Sequence, residues 1–129
     1  MILFVGSNPS HLNNNPHIPF HGSRSEKNFN EWSNRLVPNG NYKVVNVSNA
    51  LTPHNRPLRE DEFDLLTLSI NALDPEINRV IALGNTASIA LEMIGIKYFK
   101  LPHPSPLNRK INNKIYLDAI LEECEKWLK

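Results

Sequence analysis

The feature that most constrains this 129-residue chain is an alternation. Short runs rich in β-branched or aromatic residues, ILFV (2–5), YKVVNVSNAL (42–51), RVIAL (79–83) and KYFKL (97–101), alternate with stretches of helical spacing. Apolar runs without strict alternation suit strands buried on both faces. Between them, SEKNFNEWSNRL (25–36) places Phe29, Trp32 and Leu36 on one helical face, and PNGNY (38–42) reads as a turn. EDEFDLLTLSINAL (60–73) predicts an amphipathic helix with an acidic first turn and apolar residues at 63, 65, 66, 70 and 73. Gly84 and Asn85 lead into a helix at 86–94, and a last helix is expected within 110–129. The expected fold is α/β: one domain over 1–129, a three-layer α/β/α sandwich around a central, mainly parallel four-stranded sheet linked by right-handed crossovers.

In such sheets ligands sit outside the carboxyl ends of the strands. Three loops fall there: Gly6–Ser10, Asn46–Pro57 and His103–Arg109. The first, GSNPS, combines a glycine that permits close backbone approach with the donor and acceptor of the Asn8 amide. It lacks the spacing of a phosphate-cradling loop, and on its own it also reads as an ordinary strand-ending turn. Asn46 lies in a β-branched run, where a buried amide needs partners. A nucleobase edge offers one donor beside one acceptor; the loop's own backbone is the alternative. The third loop, HPSPLNR (103–109), fixes His103 between two prolines. His103 admits the roles of general acid, electrophile or metal ligand, besides that of a polar surface group. The other histidines are His11, His17, His21 and His54, and no HxxxH or HExxH pair suggests zinc. No GxSxG elbow occurs either.

Composition narrows the partners. A formal net charge of +1 means that any nucleic-acid contact must rest on a local patch. The lone Cys124 forms no internal disulfide and reads as a buried structural thiol. The apolar start is five residues long, too short for a signal or membrane segment, so a soluble, intracellular (cytoplasmic) monomer is expected.

Taken together, the three loops resemble the uracil-DNA glycosylase superfamily. HPSPLNR is similar to its second signature, HPSP-L in the classical uracil enzymes and HPS-x-x-x-R in the thermostable bacterial and archaeal branch. GSNPS (6–10) stands where the first signature belongs, and its Asn8 matches the mismatch-specific G-I-N-P-G. NVSNALTPHNRP (46–57) is similar in register to the thermostable branch's NVVKCRPPGNR-x-P, and IPFHG (18–22) to its x-PFVG. Phe20 lies fourteen positions after Gly6, as the family's phenylalanine does, and ALGNTAS (82–88) resembles its ALG-x-x-A helix entry.

The resemblance implies DNA as partner and a base-flipping enzyme that hydrolyses the N-glycosidic bond of uracil or a related modified pyrimidine. No metal or redox cofactor is implied. Phe20 stacks on the extruded base, and Asn46 accepts from uracil N3–H and donates to O4, with Gly6 and Ser7 beside them. His103 binds the base O2 as the bond breaks. Ser105 and the prolines press on the DNA backbone, Leu107 wedges into the gap, and Arg109 and Arg56 meet phosphates. Two departures qualify this. Ser7 and Asn8 replace the carboxylates of other branches, so Asn8 orients water without taking its proton. The thermostable branch's four-cysteine iron–sulfur cluster is excluded by the single cysteine. A catalytically weak or inactive module that binds a modified base, nucleotide or DNA is the alternative, and an N-glycosidase of free nucleosides or nucleotides is a third reading.

Overall fold

The computed structural model describes residues 1–8, 20, 22–53 and 56–129. Most of the polar stretch 11–22, the last two residues of the first loop, and His54 and Asn55 lie outside the described residues. Four strands, β1 (Ile2–Gly6), β2 (Tyr42–Asn46), β3 (Arg79–Leu83) and β4 (Phe99–Leu101), form one sheet in the order β2-β1-β3-β4. Every neighbouring pair is parallel, with Gly6 opposite Asn46, Val5 opposite Ala82 and Leu83 opposite Leu101. Alternate residues of β1 and β3 feed opposite cores. Leu3, Val5, Val80 and Ala82 pack under α2 (Leu65–Ala72) and α3 (Asn85–Met93). Phe4, Ile81, Leu83 and Leu101 pack under α1 (Glu26–Leu36) and α4 (Lys114–Leu128). The result is the three-layer sandwich expected.

From β1 the chain crosses to β2 on one side, then to β3 on the other. The carboxyl ends of β1 and β3 therefore flank the point where strand order reverses, the usual place for a ligand crevice. Gly6 ends β1 and Gly84 follows β3, so backbone without side chains lines both sides of it.

Several boundaries differ from expectation, most of them because a polar side chain captures a backbone N–H. The expected 60–73 helix is two elements. A 3-10 turn at Glu60–Glu62 is closed by Glu62, which accepts from the Arg59 N–H at 2.9 Å. Asp64 then caps α2 by accepting from the Thr67 N–H at 3.1 Å, so the acidic residues precede the helix. The buried face of α2 carries Leu68 and Ala72; Leu66, Ile70 and Leu73 point outward, 73%, 66% and 68% exposed. The five expected apolar positions thus divide between two faces.

The second strand stops at Asn46, because Ser48 turns the chain by accepting from the Ala50 N–H at 3.1 Å. The last helix begins at Lys114, after a 3-10 turn at Arg109–Asn112, where Asn113 caps the Ile115 and Tyr116 N–H groups at 3.1 and 3.2 Å. The fourth strand is shorter than expected, Phe99–Leu101.

No helix among the described residues is long and apolar enough to cross a membrane. Cys124 is fully buried on the inner face of α4, and burial pushes its thiol up to about 12. Because the thiolate is the reactive form, labelling of Cys124 by a thiol reagent at pH 8 should run at least about a thousandfold slower in the native protein than in denaturant. Equal rates would contradict this packing.

Candidate functional site

The loops after β1 and β2 are tied to each other. Gly6 and Ser7 carbonyls accept from the Val47 and Ser48 N–H groups at 2.9 and 3.1 Å, extending the parallel ladder past the strand ends. This places the Asn46 side chain over Gly6. A Cβ at Gly6 would stand 2.7 Å from Asn46 Oδ1 and 3.3 Å from the Phe20 ring, so only glycine lets both approach. Asn46 Nδ2 is buried without a hydrogen-bond partner among the described residues. A buried unpaired donor costs about 1–3 kcal/mol, and a site that keeps one is poised for an incoming acceptor.

Phe20 adopts φ +65°, a left-handed conformation that costs an aromatic residue roughly 1–3 kcal/mol. Its carbonyl accepts from both the Ser23 N–H (3.0 Å) and the Ser23 hydroxyl (2.8 Å), which hold the turn. One side of the ring stacks on Phe29 of α1, with centroids 4.9 Å apart and planes at 28°. The Phe20 and His103 rings lie 6.3 Å apart in an edge arrangement.

His103 follows β4 and is braced at three points. Its Nδ1 accepts the Ser105 N–H at 3.0 Å, its carbonyl accepts from Asn108 Nδ2 at 3.2 Å, and the next carbonyl, of Pro104, accepts from Asn28 Nδ2 of α1 at 2.8 Å. Pro104 is fully buried. Burial holds the imidazole below its ordinary pKa, favouring the neutral ring. With Nδ1 an acceptor, the proton of that neutral ring sits on Nε2, which is left to donate. Gly84, at φ +94°, completes the seat, since a Cβ there would lie 3.1 Å from His103 Cβ.

Ser7, Asn8, Arg56, Gly84 and His103 line one cleft of about 250 Å³. Asn8 is held at both ends of its amide: Nδ2 donates to the Ala50 carbonyl at 3.0 Å, and Oδ1 accepts the Ser7 hydroxyl at 3.2 Å. One N–H donor and one Oδ1 lone pair remain on it. Arg56 reaches the same cleft with its guanidinium committed to Glu62, Nη1 and Nη2 donating to the two carboxylate oxygens at 2.7 and 3.1 Å. That bidentate pair holds the Glu62 carboxyl down at about 2.

Beyond the histidine, Ser105 Oγ accepts the Leu107 N–H at 3.2 Å, and Leu107 stands 77% exposed. Arg109 opens the 3-10 turn that follows and is exposed.

Gly6, Phe20 and Asn46 therefore form one cluster and Ser7, Asn8, Arg56 and His103 another, joined where Phe20 meets His103. Arg56 is turned onto a carboxylate. Three further positions support these groups: Asn28 and Asn108 brace the histidine loop, and Phe29 backs Phe20. Helical spacing marks Phe29 as core, but nothing local distinguishes the two asparagines. Gly6→Ala should leave the thermal midpoint nearly unchanged while pushing the Asn46 amide or the Phe20 ring aside, seen as shifts of their NMR signals beside a thermal melt.

A search of curated proteins finds no significant match. The family model described as the uracil DNA glycosylase superfamily matches residues 1–125. With that match across nearly its whole length, on a parallel α/β/α sandwich, the chain belongs to the uracil DNA glycosylase superfamily.

Proposed function

We propose that the protein is a monofunctional DNA glycosylase that extrudes uracil or a related modified pyrimidine and hydrolyses its N-glycosidic bond, leaving an abasic site. The observation that carries this reading is a pair of complementary donors near Phe20: the Nδ2 of Asn46, buried without a partner among the described residues, and the Nε2–H of a neutral, braced His103. Asn46 Nδ2 donates to uracil O4 and Oδ1 accepts from N3–H, a pattern that cytosine inverts. Phe20, backed by Phe29 on one side, offers its other face to the base.

As the C1′–N1 bond breaks, its electron pair leaves with the base. His103 Nε2–H then stabilises the charge that grows on O2. The sugar is left electron-poor, and a water held by Asn8 Oδ1 adds to C1′, its proton passing to solvent. An amide cannot take that proton, so this step forgoes the roughly 10²–10⁴-fold that a general base supplies. Leu107 fills the vacated stack, while Ser105 and Arg109 face the backbone. Arg56 serves this scheme through Glu62, by shaping the cleft wall, unless DNA displaces the carboxylate.

Oligonucleotides carrying U, G:U, G:T or hydroxymethyluracil, incubated with the protein and then treated with alkali, should break at the modified position. Asn8→Ala should slow the breakage about tenfold through loss of the oriented water. No breakage on any of them at high enzyme concentration would refute the reading.

The absence of a carboxylate in the first loop favours one alternative, a module that binds a modified base, nucleotide or DNA without turnover. Tight binding with no product, unchanged by Asn8→Asp, would establish it.

A further inference from the structure

The two helical layers of the sandwich are unlike on their outer faces. On one side, α1 carries four charged residues, Glu26, Lys27, Glu31 and Arg35, and α4 carries six along its fifteen positions. On the other side, α2 (LLTLSINA) carries none. In α3 (NTASIALEM) Glu92 alone is charged, and its carboxylate already accepts the Tyr98 hydroxyl at 2.6 Å. What this side presents instead is apolar: Leu66, Ile70 and Leu73 along α2, and the exposed Ile89 and Met93 one turn apart on α3. A helix apolar on both faces belongs in an interior, and an exposed apolar stripe of this extent marks a contact surface.

The two ends of that face carry opposite charge. Because α2 links the parallel strands β2 and β3, it starts at the carboxyl ends of the sheet and finishes at the amino ends. Before its start, Glu60 and Asp61 are exposed and in no ion pair among the described residues, unlike Glu62. At its finish, Arg79 and Lys97 line a cleft of about 400 Å³ with Ala72, Ile77, Ile96 and Trp127. Arg79 is held there by the Trp127 ring, 5.6 Å from its guanidinium carbon, and by donating to the Asn78 carbonyl at 3.1 Å. Among the described residues no carboxylate lines this cleft. Asp74 and Glu76 stand in the turn before it, where Asp74 Oδ1 accepts the Glu76 N–H at 2.9 Å.

We propose that the α2–α3 face is a homodimer interface, on which a second copy of this chain packs about a two-fold axis with its α2 antiparallel to the first. This departs from the monomer expected from the sequence. An isologous contact sets a surface against itself, so a charged face would meet its own sign, whereas this one meets its own Leu66, Ile70 and Leu73. The antiparallel arrangement also brings Glu60 and Asp61 of each copy toward Arg79 and Lys97 of the other, twice over by symmetry. Area sets the strength. Helices of eight and nine residues, each about 13 Å long and about 10 Å wide, give a footprint of about 260 Å². A standard interface takes roughly 800 Å² from each partner, so the charged rims must contribute and the dimer is weak and concentration-dependent. The cleft between Asn8 and His103 lies at the carboxyl ends of the strands, and the two-fold axis points the two copies' clefts in opposite directions, leaving both open.

Sedimentation equilibrium of the full chain tests this. Wild type should pass from the mass of one chain to that of two as its concentration rises through about 10–100 μM, the weak end for specific interfaces. Ile70→Glu should raise the dissociation constant at least about a hundredfold, because symmetry buries the new carboxylate twice. Ile70 is exposed in the single chain, so the variant's thermal melt at low concentration should match wild type. Leu66→Ser/Leu73→Ser is an independent second disruption with the same expected result. Asp61→Lys and Lys97→Glu should each weaken the dimer several-fold, and the two together should restore it.

Wild type with the mass of one chain throughout that range would overturn the proposal, as would an Ile70→Glu variant that still pairs. Single-chain wild type that floats with phosphatidylcholine vesicles would overturn it too, by giving the face to a lipid surface. A dimer that the combined charge reversal fails to restore would overturn the antiparallel arrangement.

Discussion

His103→Ala is expected to lower single-turnover base excision by about 10²–10³-fold, the usual cost of deleting one preorganised donor aimed at developing negative charge. The loss should fall on the chemical step and not on DNA affinity, because Leu107 and Arg109, proposed to meet the strand, remain. Nδ1 holds only the Ser105 N–H, so the variant's loop keeps its anchors to Asn28 and, through the residue 103 carbonyl, to Asn108. An equal fall in DNA binding would show that the histidine acts by shaping the loop.

The same residue sets a pH dependence. Its pKa in the folded protein lies below the ordinary 6.5, so the unfolded chain takes up this proton first as pH falls. The linked stability is therefore complete above pH 6.5 and is lost progressively as pH drops toward the folded value. Protonation also places a second N–H on the ring, at Nδ1, facing the Ser105 N–H that it previously accepted. Excision attributable to His103 should pass through pH 6.5 without a break and decline only below it. An NMR titration of the His103 ring with a midpoint at or above 6.5 would contradict the buried, neutral imidazole.

Asn46→Leu is the second large effect, and it separates function from stability. Removing a buried donor that has no partner among the described residues should leave the thermal midpoint unchanged or raised, since an unpaired group costs about 1–3 kcal/mol. Base discrimination should collapse: two polar groups of the base would enter an apolar wall unpaired, lowering kcat/KM on uracil DNA by about 10²-fold or more. A marked loss of stability with activity retained would mean that the amide is a structural group of the β2 end.

What the sequence made legible follows from how each feature is encoded. The sheet could be read because a parallel strand covered on both faces is a continuous apolar run, and ILFV and RVIAL are such runs. The loop positions followed from topology, and the spacing of Gly6, Phe20, Asn46 and His103 matched a known pattern. Helix starts were less readable. Asp64 and Asn113 each lie inside a plausible helical run, and only the side-chain bond to the following N–H groups shows where the helix begins.

The buried face of α2 differs from the expected one because 66, 70 and 73 share one helical stripe while 65, 68 and 72 share another. Composition cannot say which of the two meets the sheet. Arg56 posed a similar ambiguity, since a phosphate and the carboxylate of Glu62, six residues on, ask the same geometry of a guanidinium. The braces from Asn28 and Asn108 depend on chain segments meeting in space, which no local pattern records.

The most direct test follows the leaving group itself. With protein in excess over a uracil-containing oligonucleotide, chromatography with mass detection should recover one free uracil for each abasic site formed, and far less of both with His103→Ala. Bound but intact oligonucleotide, or release of a nucleoside or nucleotide in place of the free base, would contradict N-glycosidic hydrolysis at this site.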